Sequence, residues 1–371
     1  MIKVVTVVGT RPEIIRLSRV IPKFDEYTKH ILVHTGQNYD YELNEIFFED
    51  LELRHPDYYL NVDTSSLGKV LGETLIKVEE VLDKEKPDAM LILGDTNASI
   101  AAVMAKRKRI PIYHMEAGNR SFDANVPEEI NRKMIDHIAD FNLVYTENSR
   151  RHLISEGLPH RRIYLSGSPM YEALSHYLPK IKSSSVLSEL GLTKNDYFLV
   201  SVHREENVDY QENLVKILNI LNSVAQTYQL PVIVSTHPRT RKRLEVLDGV
   251  ILNPLIQFLK PFGFTDYNWL QMNAKCVISD SGTISEESSI LRFPAVTIRN
   301  SMERPEAIDA GTIILTGFDE KIVLDAVELT VDEGGKYDHV CSDYLIKNTA
   351  SRVLKLVLGT ARLHKQWGGL Y

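Results

Sequence analysis

The sequence predicts an α/β protein with two domains, each built on a parallel β-sheet with helices on its faces. Three observations support this prediction. The chain has 371 residues, which is more than one hydrophobic core usually organises. Short β-branched segments alternate with longer amphipathic segments, as in parallel strands joined by crossover helices. This alternation occurs twice, so each half of the chain is expected to form a Rossmann-like domain.

The predicted strands form two sets, one in each half. In the first half they are 2–8, 31–35, 89–94, 112–116, 143–146 and 163–165. In the second half they are 198–202, 232–236, 276–279, 295–298 and 312–315. Between the two sets, residues 178–196 contain Pro179 and the run Ser183-Ser184-Ser185, which favour a connection. We therefore expect an N-terminal domain at 1–178 and a C-terminal domain at 179–354.

Composition and charge exclude several classes of protein. Lys and Arg total 43 against 50 Asp and Glu, a net charge of -7, which argues against nucleic acid or an acidic membrane as a partner. The two cysteines, Cys276 and Cys341, form no CxxC motif and fit a reducing compartment. The first residues lack the pattern of a signal peptide, and no uncharged segment reaches the roughly 18 to 20 residues of a spanning helix. We expect a cytoplasmic protein.

Polar clusters follow seven of the predicted strands. In doubly wound sheets ligands bind at the carboxyl ends of strands, so two domains facing across a cleft would bring these clusters together. The clusters are Thr10-Arg11, Gly36-Gln37, Asp95-Thr96, Glu116 to Arg120, His203-Arg204, His237-Pro238 and Asp280-Ser281-Gly282.

The segment 280–287 has the features of a phosphate-binding turn. It follows an apolar strand and enters a helix, where backbone N–H groups and the helix dipole favour an anion. Ser281 and Thr283 add hydroxyl donors, and Glu287 could accept hydrogen bonds from two ribose hydroxyls. In the alternative interpretation, Asp280 and Ser281 only cap the helix.

Aromatic and basic residues offer further nucleotide contacts. Tyr267, with Phe262 and Phe264, could stack on a base, although such a trio is more often part of a core. Arg11 and Arg204 each follow a strand and precede a helix, where a guanidinium suits a diphosphate. A surface ion pair with a neighbouring glutamate is the alternative for each arginine.

Three carboxylates in the first half indicate acid–base chemistry. Asp95, Glu116 and Glu128 come from separate elements, and carboxylates that converge in a dry site can supply a general acid and a general base. Helix capping is the alternative for Asp95 and Glu128. Metal binding by His114, Glu116 and Asp95 is less favoured, because no compact His/Cys motif occurs.

The sequence lacks the motifs that bind common cofactors. The turn after the first strand reads Gly9-Thr10-Arg11-Pro12-Glu13, without the later glycines of a dinucleotide fingerprint, and no GxxxxGK[ST] occurs. We therefore predict no cofactor, neither bound nicotinamide nor P-loop ATP hydrolysis.

These residues resemble the non-hydrolysing UDP-N-acetylglucosamine 2-epimerases over essentially the whole chain. The motifs that carry the resemblance are Gly9 to Glu13, Gly94-Asp95-Thr96, His114 to Arg120, Pro127-Glu128-Glu129 with Asn131-Arg132, His203-Arg204, Asp280 to Glu287, and Glu303-Arg304-Pro305-Glu306. The resemblance implies a glycosyltransferase type B arrangement, a homodimer, and a last helix near 348–363 that returns to the first domain. We accordingly expect residues 355–371 to complete the N-terminal domain.

Within the family, the sequence is most similar to the branch of UDP-N-acetyl-L-fucosamine synthases. These invert carbon 2 of UDP-2-acetamido-2,6-dideoxy-L-talose, and their product enters capsule or O-antigen polysaccharides. The likeness is carried by the amino-acid sequences of four segments, 14–18, 37–42, 116–120 and 280–285. The glucosamine branch would have Lys at Arg16, Leu at Asn119 and Gly at Thr283.

The resemblance also implies a reaction and roles for residues. Carbon 2 has no adjacent carbonyl, so without a nicotinamide the inversion requires loss and return of UDP. Asp95, Glu116 and Glu128 are the expected acid–base residues, with His203 at the diphosphate or assisting its departure. The expected contacts to UDP or the sugar are Arg11, Arg16, Arg204, His237, Tyr267, Ser281, Gly282, Thr283, Glu287 and Arg304.

Other functions remain open at this point. A UDP-N-acetylglucosamine 2-epimerase that forms UDP-N-acetylmannosamine would use the same residues. A type B glycosyltransferase could share the uridine diphosphate site, since fold does not decide function. A hydrolysing relative and a sensor that binds without turnover are the remaining alternatives.

Overall fold

The computed structural model describes residues 1–36, 48–247 and 249–367. The predictions that involve Gln37 and the segment 38–42 lie outside these residues. The chain forms two compact units. Unit 1 contains 1–120, 127–176 and 342–371, and unit 2 contains 121–126 and 177–341. The expected domain boundaries were 178/179 and 354/355. No feature of the sequence predicted that the short segment 121–126 groups with unit 2.

Unit 1 is built on a parallel sheet. Its strands are β1 (Lys3–Val8), β2 (Lys29–His34), β3 (Tyr58–Tyr59), β4 (Ala89–Leu93), β5 (Ile112–Ala117), β6 (Phe141–Val144) and β7 (Ile163–Leu165). Among the described residues their order is β3-β2-β1-β4-β5-β6-β7, and every pairing is parallel. The carboxyl ends of the strands therefore share one edge of the sheet.

Helices connect and cover these strands. They are α1 (Arg11–Leu17), α2 (Val20–Tyr27), α3 (Leu67–Glu85), α4 (Ala101–Arg107), α5 (Glu128–Ile138), α6 (Glu147–Ser155) and α7 (Met170–Lys182), with short 3₁₀ helices at Asn97–Ile100 and His160–Arg162. The boundary between the units falls within α7. After unit 2, the chain adds a 3₁₀ turn (Ser342–Leu345) and two helices numbered last, α16 (Thr349–Thr360) and α17 (Leu363–Trp367), to unit 1.

Unit 2 has the same organisation. Its strands are β8 (Phe198–Ser201), β9 (Val232–Ser235), β10 (Ile256–Leu259), β11 (Cys276–Ser279), β12 (Ala295–Thr297) and β13 (Ile314–Leu315). In the described part of the chain they pair in parallel in the order β10-β9-β8-β11-β12-β13. Its helices are α8 (Val186–Glu189), α9 (Glu205–Val208), α10 (Gln211–Tyr228), α11 (Pro238–Glu245), α12 (Phe264–Asn273), α13 (Ile284–Leu291), α14 (Glu306–Asp309) and α15 (Glu320–Glu333).

Each sheet lies at the centre of a hydrophobic core. The side chains of β4 and β11 are buried throughout, and those of β8 are nearly so, because helices cover both faces of a parallel sheet. In unit 1 the core includes Val5, Val7 and Ile92, and in unit 2 it includes Val200 and Ile278. The predicted α/β class with two Rossmann-like domains is confirmed.

The structure departs from the sequence prediction in several places, and among them β2 begins two residues earlier than predicted, at Lys29, and β13 two residues later, at Ile314. Strands β3 and β10 were not predicted, because Tyr58–Tyr59 is only two residues long and Ile256–Leu259 contains one β-branched residue. Strand β6 begins two residues earlier than predicted, at Phe141. The expected connection at 178–196 is partly helical, since α7 continues through Pro179 to Lys182. No helix in the described ranges is both long enough and apolar enough to cross a bilayer.

Candidate functional site

The polar clusters of unit 1 lie along the carboxyl edge of its sheet. The turn after β1 begins α1 with a capping box, in which Glu13 accepts the backbone N–H groups of Gly9 (2.8 Å) and Thr10 (2.7 Å). The hydroxyl of Thr96, which follows β4, donates to the same carboxylate at 2.9 Å. Burial raises the pKa of Glu13 to about 7 and lowers that of Arg11. Glu13 thus joins the loops after β1 and β4.

Glu116 lies at the end of β5 in a strained backbone conformation. Its φ is +67°, in the left-handed region, and the register between β5 and β6 shifts between Met115 and Ala117. Its side chain forms a buried ion pair with Arg16, and Asn119 Nδ2 lies 3.4 Å from its second oxygen. Glu116 is 9% exposed. The bulge therefore directs a nearly buried carboxylate toward α1.

Asp95 is held by helix α5. The Nε and Nη2 atoms of Arg132 donate to Asp95 Oδ2 at 2.9 and 2.6 Å, and Asn131 donates to the Asp95 carbonyl. Arg132 Nη1 donates a hydrogen bond to Glu129 Oε2 at 2.8 Å. The side chain that caps the following 3₁₀ helix is Thr96, so the capping alternative does not describe Asp95. Glu128 is the first residue of α5.

His114 belongs to a buried network within unit 1. Its Nε2 lies 2.9 Å from the Gly94 carbonyl, and its Nδ1 lies 3.0 Å from Asp136. Asp136 also accepts a hydrogen bond from Arg120 at 2.6 Å. His114 therefore contacts Gly94 and Asp136 rather than Glu116. Within the described ranges, no group of three or more His, Cys, Asp and Glu side chains could hold a metal ion.

In unit 2, the turn between β11 and α13 is crowded by arginines. Thr283 is the N-cap residue of α13, and its hydroxyl lies 2.9 Å from that of Ser281. A methyl group on Gly282 would lie 2.7 Å from Glu303 Oε1 and 3.1 Å from Arg204 Nη2. Arg304 donates to the Gly282 carbonyl. Only glycine fits this position without displacing these side chains.

Asp280 organises the turn after β8. Its buried carboxylate accepts the backbone N–H groups of His203 and Arg204 at 3.0 Å each, and the side-chain amide of Asn207 at 2.8 Å. It also lies 3.3 Å from His203 Nδ1. The alternative in which Asp280 caps its own helix is wrong, because these contacts join β11 to the neighbouring strand β8.

Arg204 and Arg299 share one carboxylate. Arg204 Nη2 lies 3.0 Å from Glu303 Oε1, and Arg299 Nη2 lies 2.7 Å from Glu303 Oε2. Arg204 Nε donates to the Asp280 carbonyl at 2.9 Å, and Arg204 also approaches Glu206 at 3.5 Å. The ion pair expected as an alternative for Arg204 is present, but its main partner lies 99 residues away.

The two predicted histidines lie side by side, with ring centroids 5.7 Å apart. His237 also caps α11, since its Nδ1 accepts the backbone N–H of Arg239 at 3.2 Å. The side chain of His203 is 39% exposed. Asp280 fixes His203 from one side, so the exposed part of the ring can meet a ligand.

The aromatic segment of unit 2 separates into core and site residues. Phe264 is buried and makes an edge contact with Tyr177. Burial raises the pKa of Tyr267, and the nearby Glu287 raises it further, while Ser201 and Ser279 hydrogen-bond the phenol. Glu287 accepts a hydrogen bond from Gln271 at 2.8 Å. Tyr267 and Glu287 are therefore neighbours.

Several residues that shape these sites had no role in the sequence analysis. They are Glu13, Arg132, Gln271, Arg299 and Glu303, and Asp280 as the organiser of the turn after β8. Glu13, Arg132, Asp280 and Glu303 stood within recognised motifs, which was the available signal. Arg132 pairs with the distant Asp95 and Glu303 with the distant Arg204, and spacing could not reveal these two pairs.

Comparison with known proteins gives consistent matches. A family profile described as "UDP-N-acetylglucosamine 2-epimerase" matches residues 23–358. A UDP-N-acetylglucosamine 2-epimerase from Methanococcus maripaludis is 37% identical over 97% of this chain and 99% of its own. The structure of a UDP-N-acetylglucosamine 2-epimerase from Rickettsia bellii has a TM-score of 0.91 and 49% identity, covering 99% of this chain and 98% of that one. The Methanocaldococcus jannaschii enzyme in complex with UDP-GlcNAc and UDP has a TM-score of 0.90 and 34% identity, with coverage of 96% and 99%.

Proposed function

The chain belongs to the UDP-N-acetylglucosamine 2-epimerase family, and from this premise we propose that it inverts carbon 2 of a UDP-linked 2-acetamido sugar by eliminating and re-adding UDP. Enzymes of this family are isomerases. The observation that carries the proposal is a pair of arginine-held carboxylates, Glu116 with Arg16 and Asp95 with Arg132, at the ends of adjacent strands β4 and β5.

Unit 2 supplies the groups that hold the nucleotide in this proposal. The N–H groups and hydroxyls of 281–283 and the guanidinium of Arg204 bind the diphosphate, which is released and recaptured during the reaction. Tyr267 stacks on the uracil and Glu287 binds the ribose hydroxyls. His203, oriented by Asp280, contacts the diphosphate or assists its departure.

Unit 1 supplies the acid–base groups. A carboxylate removes the proton from carbon 2, and the bond between carbon 1 and the UDP oxygen breaks, which leaves a glycal and UDP. UDP then re-forms that bond, and carbon 2 receives a proton on the opposite face. Asp95, Glu116 and Glu128 are the candidates for these two transfers. The arginines fix the orientation of Glu116 and Asp95, as proton transfer requires.

A measurement of hydrogen exchange tests this function. The enzyme is incubated in heavy water with a UDP-2-acetamido sugar and no acceptor, and proton NMR follows carbon 2. We expect deuterium at carbon 2 of both epimers without net release of UDP. A glycosyltransferase would incorporate no deuterium, a hydrolase would accumulate UDP, and a sensor would leave the substrate unchanged. Each of these three outcomes would reject the proposal.

Single variants test the roles of the carboxylates. Glu116→Gln and Asp95→Asn keep the side-chain size but remove the base or acid, so we expect kcat to fall by about 100-fold or more. Glu80→Gln, an exposed substitution on α3, is the matched control. Retention of full activity in both site variants would contradict their assignment.

We further propose that the preferred substrate is UDP-2-acetamido-2,6-dideoxy-L-talose, with UDP-N-acetyl-L-fucosamine as product. Two positions at which this chain departs from the glucosamine branch, Arg16 and Asn119, contact the two oxygens of Glu116. Because either enzyme must accept both configurations at carbon 2, a change of partners on this carboxylate supports a substrate that differs in the rest of the sugar ring. UDP-N-acetylglucosamine is the alternative substrate, supported by the names of the relatives.

Proton NMR with each nucleotide sugar in turn shows which of the two candidate substrates the enzyme prefers. We expect the 6-deoxy-L-talo nucleotide to be epimerised at least about tenfold faster, expressed as kcat/KM. The double variant Arg16→Lys with Asn119→Leu should shift the preference toward UDP-N-acetylglucosamine, and Arg107→Lys on the exposed end of α4 is the control. Faster turnover of UDP-N-acetylglucosamine by the unaltered enzyme would identify that sugar as the substrate.

A further inference from the structure

Unit 2 contains a cavity beside the turn that carries His203 and Arg204. Its volume is about 310 Å³, at the lower end of the roughly 300–1,000 Å³ range of small-molecule sites. The walls come from the segment 121–126, from the region of α9 and α10, and from the residues that follow β12. All of these lie within unit 2. None of the roles assigned above to UDP or to acid–base chemistry uses the cavity.

The walls are rich in groups that can both donate and accept hydrogen bonds. Asn125, Asn213 and Asn300 contribute side-chain amides, and Asp123 and Glu206 contribute carboxylates. Asp123 accepts a hydrogen bond from the side-chain amide of Asn125 at 2.8 Å and another from the hydroxyl of Ser301. These two hydrogen bonds close one side of the cavity. Amides paired with carboxylates match hydroxyl groups, each of which is a donor and an acceptor.

The charges of the walls disfavour an anion. Arg299 is the cation of the lining, and its guanidinium lies 2.7 Å from Glu303. Backbone and side-chain hydrogen bonds from Asn125 hold the pKa of Asp123 below its usual value, so this carboxylate is charged at neutral pH. Together with Glu206, it gives the cavity a negative potential that repels phosphate. A second nucleotide is therefore a poor fit.

Metal ions and apolar ligands fit no better. Among the described residues, which include the walls of this cavity, no group of three or more His, Cys, Asp and Glu side chains could hold a metal ion. Tyr210 is the aromatic residue of the lining and is 64% exposed, so it offers one apolar face beside polar walls. A single ring face above hydrogen-bonding groups suits the apolar C–H face of a sugar ring.

We propose that this cavity is a second ligand site of the protein, which binds an uncharged, hydroxyl-rich molecule of monosaccharide size. Asn125 and Asn213 form hydrogen bonds with the hydroxyl groups, Asp123 and Glu206 accept hydrogen bonds from them, and the ring of Tyr210 covers one face. The ligand lacks phosphate, which separates it from the substrate of the proposed reaction.

The cavity is connected to the nucleotide-binding turn by direct contacts. Glu206 lies 3.5 Å from Arg204, and Arg299 and Arg204 share Glu303. A sugar that draws Glu206 or Arg299 into the cavity would change how Arg204 is held. Binding of the sugar and binding of UDP would then be coupled, and each would alter the affinity of the other. This coupling rests on the proposed function, whereas the sugar site itself does not.

Calorimetric titration of the full chain tests the site. The probes are N-acetyl-D-glucosamine and D-glucose, each titrated with and without saturating UDP, so that occupation of the nucleotide site is controlled. Tyr210→Ala and Asn125→Ala each remove one wall group, and each should weaken binding of the responding sugar by about tenfold. Asn219→Ala, on the exposed face of α10, should leave the affinity within about twofold.

The outcomes separate this proposal from the proposed function. Sugar binding that persists in the presence of UDP and weakens in both variants supports the site. Absence of binding by both sugars, sugar binding unaffected by the two variants, or binding of inorganic phosphate or Mg²⁺ in the presence of saturating UDP that weakens in the two variants would overturn it. If UDP does not bind at all, the proposed function fails, while the titrations without UDP still decide on the cavity.

Discussion

Ion pairs between arginines and carboxylates recur at the scale of single residues. Arg16 with Glu116, Arg132 with Asp95 and Arg204 with Glu303 all involve an arginine whose side chain is at most 17% exposed. Removing one member of a buried pair leaves an uncompensated charge, which costs more than the pair contributes. These residues therefore link the stability of each unit to the geometry of its site.

Replacement of Arg16 tests this link. Arg16→Leu leaves Glu116 buried without its cation, and we expect unit 1 to lose about 3–5 kcal/mol of stability. The double variant Arg16→Leu with Glu116→Gln should recover part of this loss, because no buried charge remains. Denaturant unfolding followed by tryptophan and tyrosine fluorescence measures both. Equal stability of the single and double variants would argue against the explanation.

A second prediction at this scale concerns Glu13. Its pKa is about 7 in the folded chain against 4.5 as the ordinary value. A raised pKa means that its stabilising contribution is complete below pH 4.5 and is lost as the pH rises through 7. The loss is on the order of 3 kcal/mol.

The pH dependence of unfolding checks this directly. Between pH 5 and pH 8 the stability of the unaltered chain should fall relative to that of Glu13→Gln, which cannot ionise. Glu80→Gln on the exposed face of α3 is the matched control. A difference between the chain and Glu13→Gln that stays constant over this range would show that Glu13 does not titrate there.

At the scale of secondary-structure elements, the ends of strands and the starts of helices position the candidate groups. Asp280 directly follows β11 and fixes the turn after β8, and α13 begins beside Arg204 and Arg304. In unit 1 the bulge at the end of β5 directs Glu116, and α5 directs Arg132. The sites consist of junctions between neighbouring elements.

Gly282 provides a test of one such junction. In Gly282→Ala the methyl group would meet Glu303 at 2.7 Å and push it from Arg204, so we expect the affinity for UDP to fall by about tenfold or more. Gly72→Ala is the control, because no atom lies within 4 Å of its new methyl group, and alanine should stabilise α3. Calorimetric titration with UDP measures both variants, and unchanged affinity in Gly282→Ala would disprove the crowding argument.

At the scale of the whole molecule, chain order and unit membership differ. The segment 342–371 lies at the end of the chain but belongs to unit 1. Within it, Val353, Leu354 and Val357 of α16 are buried. The side-chain hydroxyls of Thr360 and Tyr113 are hydrogen-bonded to each other at 2.6 Å. Helix α16 therefore contributes to the core of the first unit.

Truncation tests this contribution. A chain that ends after Cys341 should expose the surface that α16 covers, since each buried Val or Leu contributes about 1.5–3 kcal/mol. Hydrogen exchange followed by mass spectrometry should show lost protection in α2 and β5, with protection in β8 and β11 retained. A chain that ends after residue 367 is the control. Full protection of unit 1 in the shorter chain would contradict the prediction.

The sequence by itself determined the fold class and most of the strands. Parallel strands buried on both faces need apolar, β-branched side chains, and this local requirement is visible in segments such as Val4 to Val8 and Val232 to Val234. It also determined the family through seven short motifs. Strands β3 and β10 were missed because neighbouring strands, and not their own residues, place them in the sheet.

Only the tertiary structure decided which side chains meet. Arg16 and Glu116 are 100 residues apart in sequence, and Asp280 and His203 are 77 apart. Spacing along the chain carries no information about such contacts, because strand order and helix packing bring the partners together. The same holds for the segment 121–126, which lies between two parts of unit 1 in sequence but packs in unit 2. Local preferences form the elements, whereas the burial and pairing of charges depend on how those elements assemble.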